Sequence, residues 1–234
     1  IKLIRPEALG AGNSDGAQLA VRRFTREAEA AANLRSPHTV EVYDFGVTED
    51  QTLYFVMEML EGMDLETLIR QNGPLPAARV IYLMRQVCES LGEAHAKGLV
   101  HRDIKPANIN VGQVGLEYDF VKVLDFGLVK EVKRPSATDT RLTVEGMTVG
   151  TPTYMAPELA LDEAFDGRAD LYALGCVMYF LLTGQVVFES DNVMRLMVRH
   201  IEEKPVPPSR RTDRYISSSF DDIVLACLAK DFAA

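Results

Sequence analysis

The stretch His101-Arg102-Asp103-Ile104-Lys105-Pro106-Ala107-Asn108 decides the fold of this chain, and it follows a short apolar pair. It sets carboxylate, cationic and carboxamide side chains at fixed offsets. Asp125-Phe126-Gly127 follows a second apolar segment, VKVL at 121–124. A carboxylate and a carboxamide on neighbouring turns can hold a divalent metal through oxygen ligands, and another carboxylate can orient a hydroxyl nucleophile. Asp125 alone would also suit a turn before glycine, but the two motifs together indicate chemistry.

Around these motifs the chain shows two regimes of pattern. Up to about residue 60, short strand-like runs surround one helical stretch, Gly16 to Leu34, rich in Ala, Arg and Glu. Beyond it the pattern is helical, with a long amphipathic run after Pro76, which we expect at the first helical position. Short strands are expected at 109–111 and 121–124. We predict a small sheet with one helix, then a cleft and a mainly α-helical part.

Two further segments stand out by composition. Residues 130–148 are polar and show no period of 2 or 3.6, which predicts a long mobile loop, either functional or a mere surface excursion. Leu171 to Leu182 is the most apolar stretch, and its length favours a buried core helix over a membrane span.

The composition of the chain is globular and acidic. Its 234 residues include 25 Lys and Arg against 34 Asp and Glu, a net charge of -9. This charge disfavours nucleic acid or an anionic membrane as a partner and suits a cytoplasmic protein. Cys88, Cys176 and Cys227 show no metal-ligand spacing, so we expect small buried hydrophobes in a reducing compartment.

With Ala156-Pro157-Glu158 added, the three motifs in this order resemble those of the protein kinase superfamily. The resemblance covers essentially the whole chain and is nearest to bacterial serine/threonine kinases of the eukaryotic type. Lys105 and Thr151 resemble the serine/threonine branch and not the tyrosine branch.

The resemblance implies an α+β, two-lobed fold. Residues 1–60 would be a partial N-lobe of a small sheet and one helix, lacking its first two strands. Residues 61–63 would end the hinge, and 64–234 would form a mainly α-helical C-lobe, truncated before its last helix. The Gly-rich loop over the ATP phosphates is absent from this stretch, so we expect weak ATP binding by residues 1–234 alone.

The resemblance also assigns catalytic roles, with ATP and Mg²⁺ as cofactors. Asp103 would orient or accept the proton of the substrate hydroxyl, and Lys105 would neutralise charge on the transferred phosphoryl group. Asn108 and Asp125 would hold the magnesium ions. Lys2 would contact the α and β phosphates and needs a carboxylate partner.

Helical periodicity selects Glu27 as that partner of Lys2. Glu27 shares a helix face with Phe24, Ala31 and Leu34, whereas Glu29 lies on the polar face. The same position carries the family's helix glutamate. The alternative is a solvated helix glutamate.

The resemblance places the nucleotide base and sugar as well. Met57 would be the gatekeeper, with the Glu58 carbonyl and the Leu60 amide as hydrogen-bonding groups for adenine. Asp64 would bind the ribose. Asn110 falls beneath adenine, where the family usually has an apolar side chain.

The remaining assignments are regulatory and structural. Arg102, Arg23 and Lys130 resemble a phosphate-binding pocket for a phosphothreonine at Thr143 or Thr148, although Arg23 and Lys130 also suit solvated surface charges. Asp170 would tie its helix to the catalytic-loop backbone, or would cap that helix. The other structural positions are His101, Phe126, Thr151 and Glu158.

The function implied is phosphoryl transfer from ATP to Ser or Thr hydroxyls of proteins in bacterial signalling, with autophosphorylation of the loop. Expected partners are a protein substrate and a second copy of the kinase for trans-autophosphorylation, without nucleic acid or membrane contact from this chain. The parent protein could carry a membrane anchor elsewhere. A pseudokinase scaffold and a small-molecule kinase are the rival interpretations.

Overall fold

The computed structural model describes residues 1–4, 14–49, 52–126 and 152–231, with the backbone alone for Ile4, 14–20 and Arg23. The strands and helices in chain order are β1 (Lys2–Ile4), α1 (Ser14–Ala32), β2 (Val42–Val47), β3 (Leu53–Met57), β4 (Met63–Asp64), α2 (Leu65–Asn72), α3 (Ala77–Ala96), β5 (Ile109–Val114), β6 (Glu117–Val123), α4 (Pro157–Ala160), α5 (Arg168–Thr183), α6 (Val193–Glu202) and α7 (Ser218–Cys227). Three 3₁₀ turns add Pro106–Asn108, Pro152–Tyr154 and Pro208–Arg210.

Two antiparallel sheets carry the strands. The first has the order β1-β3-β2, and α1 packs against it through Phe24 and Ala28, which join Leu53 and Phe55 in a small core. The second has the order β4-β5-β6. A single parallel bridge between Thr39 and Val123 connects the segment before β2 to β6.

The predicted α+β class is confirmed, and differences are confined to element ends. The helix predicted at 16–34 runs from Ser14 to Ala32. Pro76 is the N-cap residue of α3 with an extended ψ of 143°, not the first helical residue. The strands expected at 109–111 and 121–124 run from Ile109 to Val114 and from Glu117 to Val123, because β5 and β6 continue beyond their buried residues into an exposed hairpin.

Helix α5 forms the centre of the larger core. All but three of its sixteen residues are buried, and they pack with residues of α3 and α7 in one cluster. Helices with a buried interior of this kind read as continuously apolar in sequence. None of the helices in the described ranges is long and apolar enough to cross a membrane.

The carboxylate of Glu93 fastens α3 to the segment that follows α1. It accepts hydrogen bonds from the backbone amides of Arg35 and Ser36 at 2.8 and 2.6 Å and from the Lys97 ammonium at 2.6 Å. Lys97 also donates to the carbonyl of Asn33 at 2.7 Å. The C-terminal end of α1 is therefore held to the helical part of the molecule.

These bonds shift the acidity of Glu93. Burial acts to raise the pKa of its carboxyl, but the hydrogen bonds from Lys97, Arg35 and Ser36 outweigh burial and hold the pKa below its ordinary 4.5. A folded-state pKa below the unfolded one gives stability that is present above the unfolded pKa and is lost as pH falls through the folded pKa.

We expect Glu93→Gln to lower the free energy of unfolding by about 1 kcal/mol at pH 7, because a charged acceptor of backbone amides is removed. Urea unfolding of both proteins should show this difference shrinking as the pH falls below 4.5. Glu89→Gln on the same helix is the matched control, since the Glu89 side chain is 51% exposed. An equal loss in the control would contradict the anchoring role of Glu93.

Candidate active site

The buried carboxylate of Asp170 organises the segment His101–Asn108. On α5 it is 1% exposed and accepts hydrogen bonds from the backbone amides of His101 and Arg102, each at 2.8 Å. The Nε2 of His95 lies 2.8 Å from the same carboxylate. Gly167, not Asp170, is the N-cap of α5, so Asp170 does not cap its helix. Arg102 has a φ of 65°, and the two amide bonds hold this left-handed backbone in place.

His101 is fully buried and joins the two motifs. Its Nδ1 accepts from the amide of Asp103 at 3.2 Å, so the proton resides on Nε2, which donates to the carbonyl of Leu124 at 2.7 Å. Its ring packs on Phe126 with centroids 4.7 Å apart. Burial lowers the pKa of His101, so the ring is neutral at pH 7. The neutral ring therefore joins the backbone of Asp103 to that of Leu124, the residue before Asp125, through one hydrogen bond to each.

Asp103, Lys105 and Asn108 form one polar cluster. Lys105 Nζ lies 3.0 Å from Asp103 Oδ2, and Asn108 Nδ2 donates to the same oxygen at 3.1 Å and to the Asp103 carbonyl at 2.8 Å. Both bonds of Asn108 use its amide nitrogen, so its oxygen can serve as a ligand. The Asn108 carbonyl accepts from the amide of Leu124 at 2.9 Å. That bond brings Asp125 next to the cluster.

Lys2 contacts a different carboxylate from the predicted Glu27 in this structure. Lys2 Nζ instead contacts Asp125 Oδ2 at 2.5 Å. Asp125 has a φ of 62°, a left-handed backbone conformation that turns the residue out of the line of β6. Asp125, which follows β6, is within reach of Lys2 on β1. The spacing of the motifs in the sequence does not show which carboxylate Lys2 contacts.

Glu27 contacts Arg102 instead, with Oε1 and Nη1 3.2 Å apart. The Arg102 guanidinium also lies over the ring of Phe165 at 5.3 Å. Periodicity placed Glu27 on the correct face of α1, because the side chain points towards the catalytic loop. The arginine beside Asp103 takes the contact that was expected for Lys2.

The backbone of Met57, Glu58 and Leu60 lies at the end of β3. Met57 ends β3 and packs against the small core under α1. Within the described residues, neither the Glu58 carbonyl nor the Leu60 amide takes part in a backbone hydrogen bond. An acceptor and a donor two residues apart therefore remain available at the boundary between the sheets.

The Glu58 side chain holds this segment in place. Its Oε1 accepts from Lys122 Nζ at 2.6 Å and from the amide of Glu41 at 2.8 Å. Lys122 also lies 3.4 Å from the carbonyl of Thr39. The lysine and glutamate side chains are only 17% and 20% exposed, so water screens this pair little. We name Glu58 and Lys122 the hinge clamp.

Asp64 and Asn110 are cross-strand neighbours in the second sheet. Asp64 is the N-cap of α2 and accepts from the amide and the hydroxyl of Thr67 at 2.8 and 2.9 Å. Carboxylate oxygens have lone pairs beyond these two, so a sugar hydroxyl can still donate to them. Asn110 is half-buried, and among the described residues its side chain has no hydrogen-bond partner.

Several predicted positions fall outside this description. Lys130, Thr143, Thr148 and Thr151 lie outside the described residues, as does the side chain of Arg23. The loop predicted at 130–148 lies outside them too. Glu158 is described; it is buried in α4, and its charge contributes to raising the pKa of Arg168, after the larger effect of Asp166.

Asn108 and Asp125 suit a magnesium ion by their donor chemistry, since Mg²⁺ prefers hard oxygen ligands. No group of three His, Cys, Asp or Glu side chains in the described ranges could hold a metal by itself.

Sequence reasoning missed His95 and Lys122. His95 precedes the motif by six positions and faces Asp170 from the last turn of α3. Lys122 is a charged residue between the buried Val121 and Val123, and that alternation is a signal that it faces a polar partner. Its partner lies 64 residues away, at a distance in sequence that pattern analysis does not bridge.

Comparison with known proteins agrees with this geometry. The family model for the protein kinase domain matches residues 10–234. The serine/threonine-protein kinase pkn3 of Myxococcus xanthus is 42% identical over 212 residues, covering 90% of this chain and 39% of the relative. The serine/threonine-protein kinase PknB of Mycobacterium leprae is 38% identical over 212 residues, covering 89% of this chain and 33% of the relative.

A third relative extends the same pattern to another bacterial group. The probable serine/threonine-protein kinase CPE1738 of Clostridium perfringens is 39% identical over 211 residues, covering 90% of this chain and 29% of the relative. The chain thus spans less than two fifths of the length of each of these three relatives.

We expect Asp170→Asn to lower the free energy of unfolding by about 2 kcal/mol, because an amide brings a donor to a site where buried donors already converge. Hydrogen exchange at the amides of His101 and Arg102 should accelerate in the same variant. Asp166→Asn is the control, since Asp166 is an exposed residue that contacts Arg168. Unchanged protection of both amides in Asp170→Asn would contradict the organising role of Asp170.

Proposed function

The chain belongs to the protein kinase family, and from this premise we propose that it transfers the γ-phosphoryl group of ATP to Ser and Thr hydroxyls of proteins. The observation that carries the proposal is the cluster of Asp103, Lys105 and Asn108 beside Asp125. The relatives' names support the serine/threonine class. A role in bacterial signalling is part of the same proposal.

The Asp103 carboxylate would accept a hydrogen bond from the hydroxyl group of the acceptor. Its carboxylate is 21% exposed and held by Lys105 and Asn108, so it can accept a hydrogen bond from the hydroxyl and orient the oxygen for attack. Lys105, with its Nζ 3.0 Å from that carboxylate, can then turn towards the transferred phosphoryl group and stabilise its charge.

Asn108 and Asp125 would hold Mg²⁺ through the Asn108 amide oxygen and the Asp125 carboxylate. Bound Mg²⁺ supplies charge neutralisation at the phosphate oxygens. Asp125 must leave Lys2 to act as a ligand, and this frees the Lys2 ammonium for the phosphates of ATP. Glu27 would then leave Arg102 and hold Lys2.

The adenine base would lie against the backbone of residues 57–60. The Glu58 carbonyl and the Leu60 amide offer one acceptor and one donor, and Met57 closes the back of the cleft. Asp64 would accept from the ribose. Asn110 would lie beneath the base, where its amide can bind a ring nitrogen or water.

The acceptor would be a segment of a protein. A small cavity beside the Asp103 carboxylate is lined by Asp103, Lys105, Tyr154 and Met155, and the acceptor hydroxyl would approach Asp103 from this side. A second copy of the kinase would serve as the acceptor for autophosphorylation. The net charge of -9 supports neither nucleic acid nor an anionic lipid as partner, and a cytoplasmic location of this domain is part of the proposal.

Arg102 would connect the chemistry at Asp103 to a phosphate on Thr143 or Thr148. Its guanidinium contacts Glu27 at 3.2 Å. A phosphothreonine brings close to two negative charges and forms stronger hydrogen bonds with arginine than one carboxylate does. A phosphate on the loop would therefore draw Arg102 away, with Arg23 and Lys130 as further ligands, and release Glu27 for Lys2.

We expect Asp103→Asn to lower kcat by about 10³-fold with nucleotide affinity within about twofold of wild type, because only the carboxylate orients the hydroxyl. Asp125→Ala should lose Mg²⁺-dependent nucleotide binding as well. Phosphate incorporation into casein and calorimetric titration with Mg-ATP measure the two effects, with the exposed Asp222→Asn as control. A wild-type rate in Asp103→Asn would contradict the catalytic role of Asp103 and favour a pseudokinase scaffold. Transfer of phosphate to sugars without transfer to protein would favour a small-molecule kinase.

The loop proposal has its own test. We expect Thr143→Ala with Thr148→Ala to lower casein phosphorylation by about tenfold, because Arg102 then stays with Glu27. In Arg102→Ala, mass-spectrometrically verified phosphorylated and unphosphorylated protein should have equal rates. Thr138→Ala is the matched control on the same loop. Full activity of the double variant would remove the proposed switch.

A further inference from the structure

A cluster of cations follows α6 in the chain. We name residues 204–214 the cationic loop. Its charged residues are four cations and one acid: Lys204, Arg210, Arg211, Arg214 and Asp213. The whole chain has a net charge of -9, so the rest of it is more acidic than this total. The loop therefore offers an anionic ligand an attraction that the molecule as a whole does not.

The cations of the loop are available to a ligand. Among the residues that the structure describes, none of the four has a charged nitrogen within 4 Å of a carboxylate oxygen. The Arg211 guanidinium donates to a neutral acceptor, Gln185 Oε1, at 3.2 Å. The three arginines are exposed, and the neighbouring Tyr215 is 86% exposed. Arginine and tyrosine are the side chains that protein interfaces use most for binding energy, so this composition suits a docking surface.

The backbone of the loop is held by a buried carboxylate. Asp221 on α7 accepts hydrogen bonds from the amide of Ser209, at 3.1 Å, and from the Ser209 hydroxyl. The amide of Arg211 donates to the carbonyl of Pro208 at 2.9 Å. The 3₁₀ turn Pro208–Arg210 packs against α5 and α7. A backbone that is already fixed loses less entropy when a ligand binds.

Helix α6 connects the loop to the cavity beside Asp103. It packs against the turn Pro152–Tyr154 and ends at Glu202, just before the loop. Tyr154 lines that cavity. The ten residues of α6 are about 15 Å long, whereas an extended segment of about ten residues is ~33 Å long. One acceptor segment would therefore be long enough to follow α6 from the cavity to the loop.

The surroundings of the loop favour a narrow ligand over a broad one. Exposed carboxylates flank it, at Glu202 in α6 and at Asp222 in α7, next to the Asp221 that holds the loop. A membrane or a nucleic-acid duplex presents a broad anionic surface, which would face these carboxylates as well as the arginines. An extended peptide segment can contact the arginines alone. Its Asp and Glu side chains would supply carboxylates, with which arginine forms paired hydrogen bonds.

We propose that the cationic loop binds an Asp- or Glu-rich segment of the protein acceptor. The bound segment would hold an acidic protein on the kinase while its Ser or Thr hydroxyl reaches Asp103. The proposal rests on the proposed kinase function, because it names the class of acceptor for that reaction. Its effect lies in acceptor binding, since neither the residues assigned to Mg²⁺ nor those assigned to ATP belong to the loop.

Two acceptors of opposite charge test the proposal in steady-state kinetics, namely dephosphorylated casein, which is acidic, and myelin basic protein. In the triple variant Arg210→Gln, Arg211→Gln and Arg214→Gln we expect KM for casein to rise about fivefold, because each exposed ion pair contributes little and three are removed. KM for myelin basic protein and KM for ATP should stay within about twofold of wild type. Added NaCl should raise KM for casein more in wild type than in the variant.

A matched control makes the same change of net charge elsewhere. Arg22→Gln, Arg26→Gln and Arg35→Gln replace three exposed arginines on and after α1. KM for casein in this control should stay within about twofold of wild type. The three corresponding lysine substitutions in the loop keep its charge, and they should recover most of the casein binding that the glutamine variant loses.

Binding is measured without catalysis by the fluorescence anisotropy of labelled poly-glutamate. Wild type and the α1 control should bind this peptide equally, and the glutamine variant of the loop should bind it at least about fivefold more weakly. Sedimentation with vesicles gives the second arm. We expect vesicles of phosphatidylserine and phosphatidylcholine to retain no more protein than vesicles of phosphatidylcholine alone.

The outcomes distinguish the two proposals. Unchanged KM for casein in the glutamine variant of an active kinase overturns the docking role. A rise in KM that the α1 control shares, or that is equal for myelin basic protein, also overturns it, because the loop then does not select an acidic acceptor. Retention of wild type on phosphatidylserine vesicles without binding of poly-glutamate assigns the loop to a membrane and overturns it as well. Wild type that binds poly-glutamate through the loop but transfers no phosphate to either acceptor overturns the kinase function, and with it the acceptor role of the loop.

Discussion

The bonds to the buried Asp170 carboxylate are the constraint on which the site depends. The two carboxylate oxygens of Asp170 accept hydrogen bonds from the backbone amides of His101 and Arg102, and these bonds keep Arg102 at a positive φ. The left-handed residue turns the chain so that Asp103 follows in the direction of the cleft. His95 adds a bond from α3. The backbone next to Asp103 is thereby fixed to α5 and, through His95, to α3, which suits the role proposed for Asp103 of orienting a hydroxyl.

The sheet-bearing part is joined to this rigid part at two anchored places. Glu93 binds the backbone after α1, and the hinge clamp joins Glu58 to Lys122 on β6. Both anchors use charged groups bonded to backbone amides, and such bonds are stronger than those between neutral groups. Lys2 on β1 and Glu27 on α1 make the further contacts with this part, to Asp125 and to Arg102.

Much of the fold was predictable because its signals are local. The period of 3.6 placed Glu27 on the inward face of α1, and the apolar run at 171–182 predicted α5. The motifs placed Asp103, Asn108 and Asp125 together, since short strands and turns bring them there. The partner of Lys2, the role of His95 and the contact between Lys230 and Tyr172 were not predictable. Each depends on a contact between side chains far apart in sequence, and the register of two packed helices decides it.

The two ion pairs at the catalytic cleft are of the kind that a ligand can replace. The side chains of Lys2 and Arg102 are 42% and 37% exposed, and those of their partners Asp125 and Glu27 are 25% and 27% exposed. Water screens such pairs, and each stabilises by about 0–1 kcal/mol. A nucleotide phosphate with its metal carries more charge than either carboxylate. If Asp125 and Lys2 separated to bind the metal and the phosphates as proposed, each would gain a partner of higher charge, so the exchange would have little to overcome. The hinge clamp, at 17% and 20% exposure, is screened less by water than these two pairs.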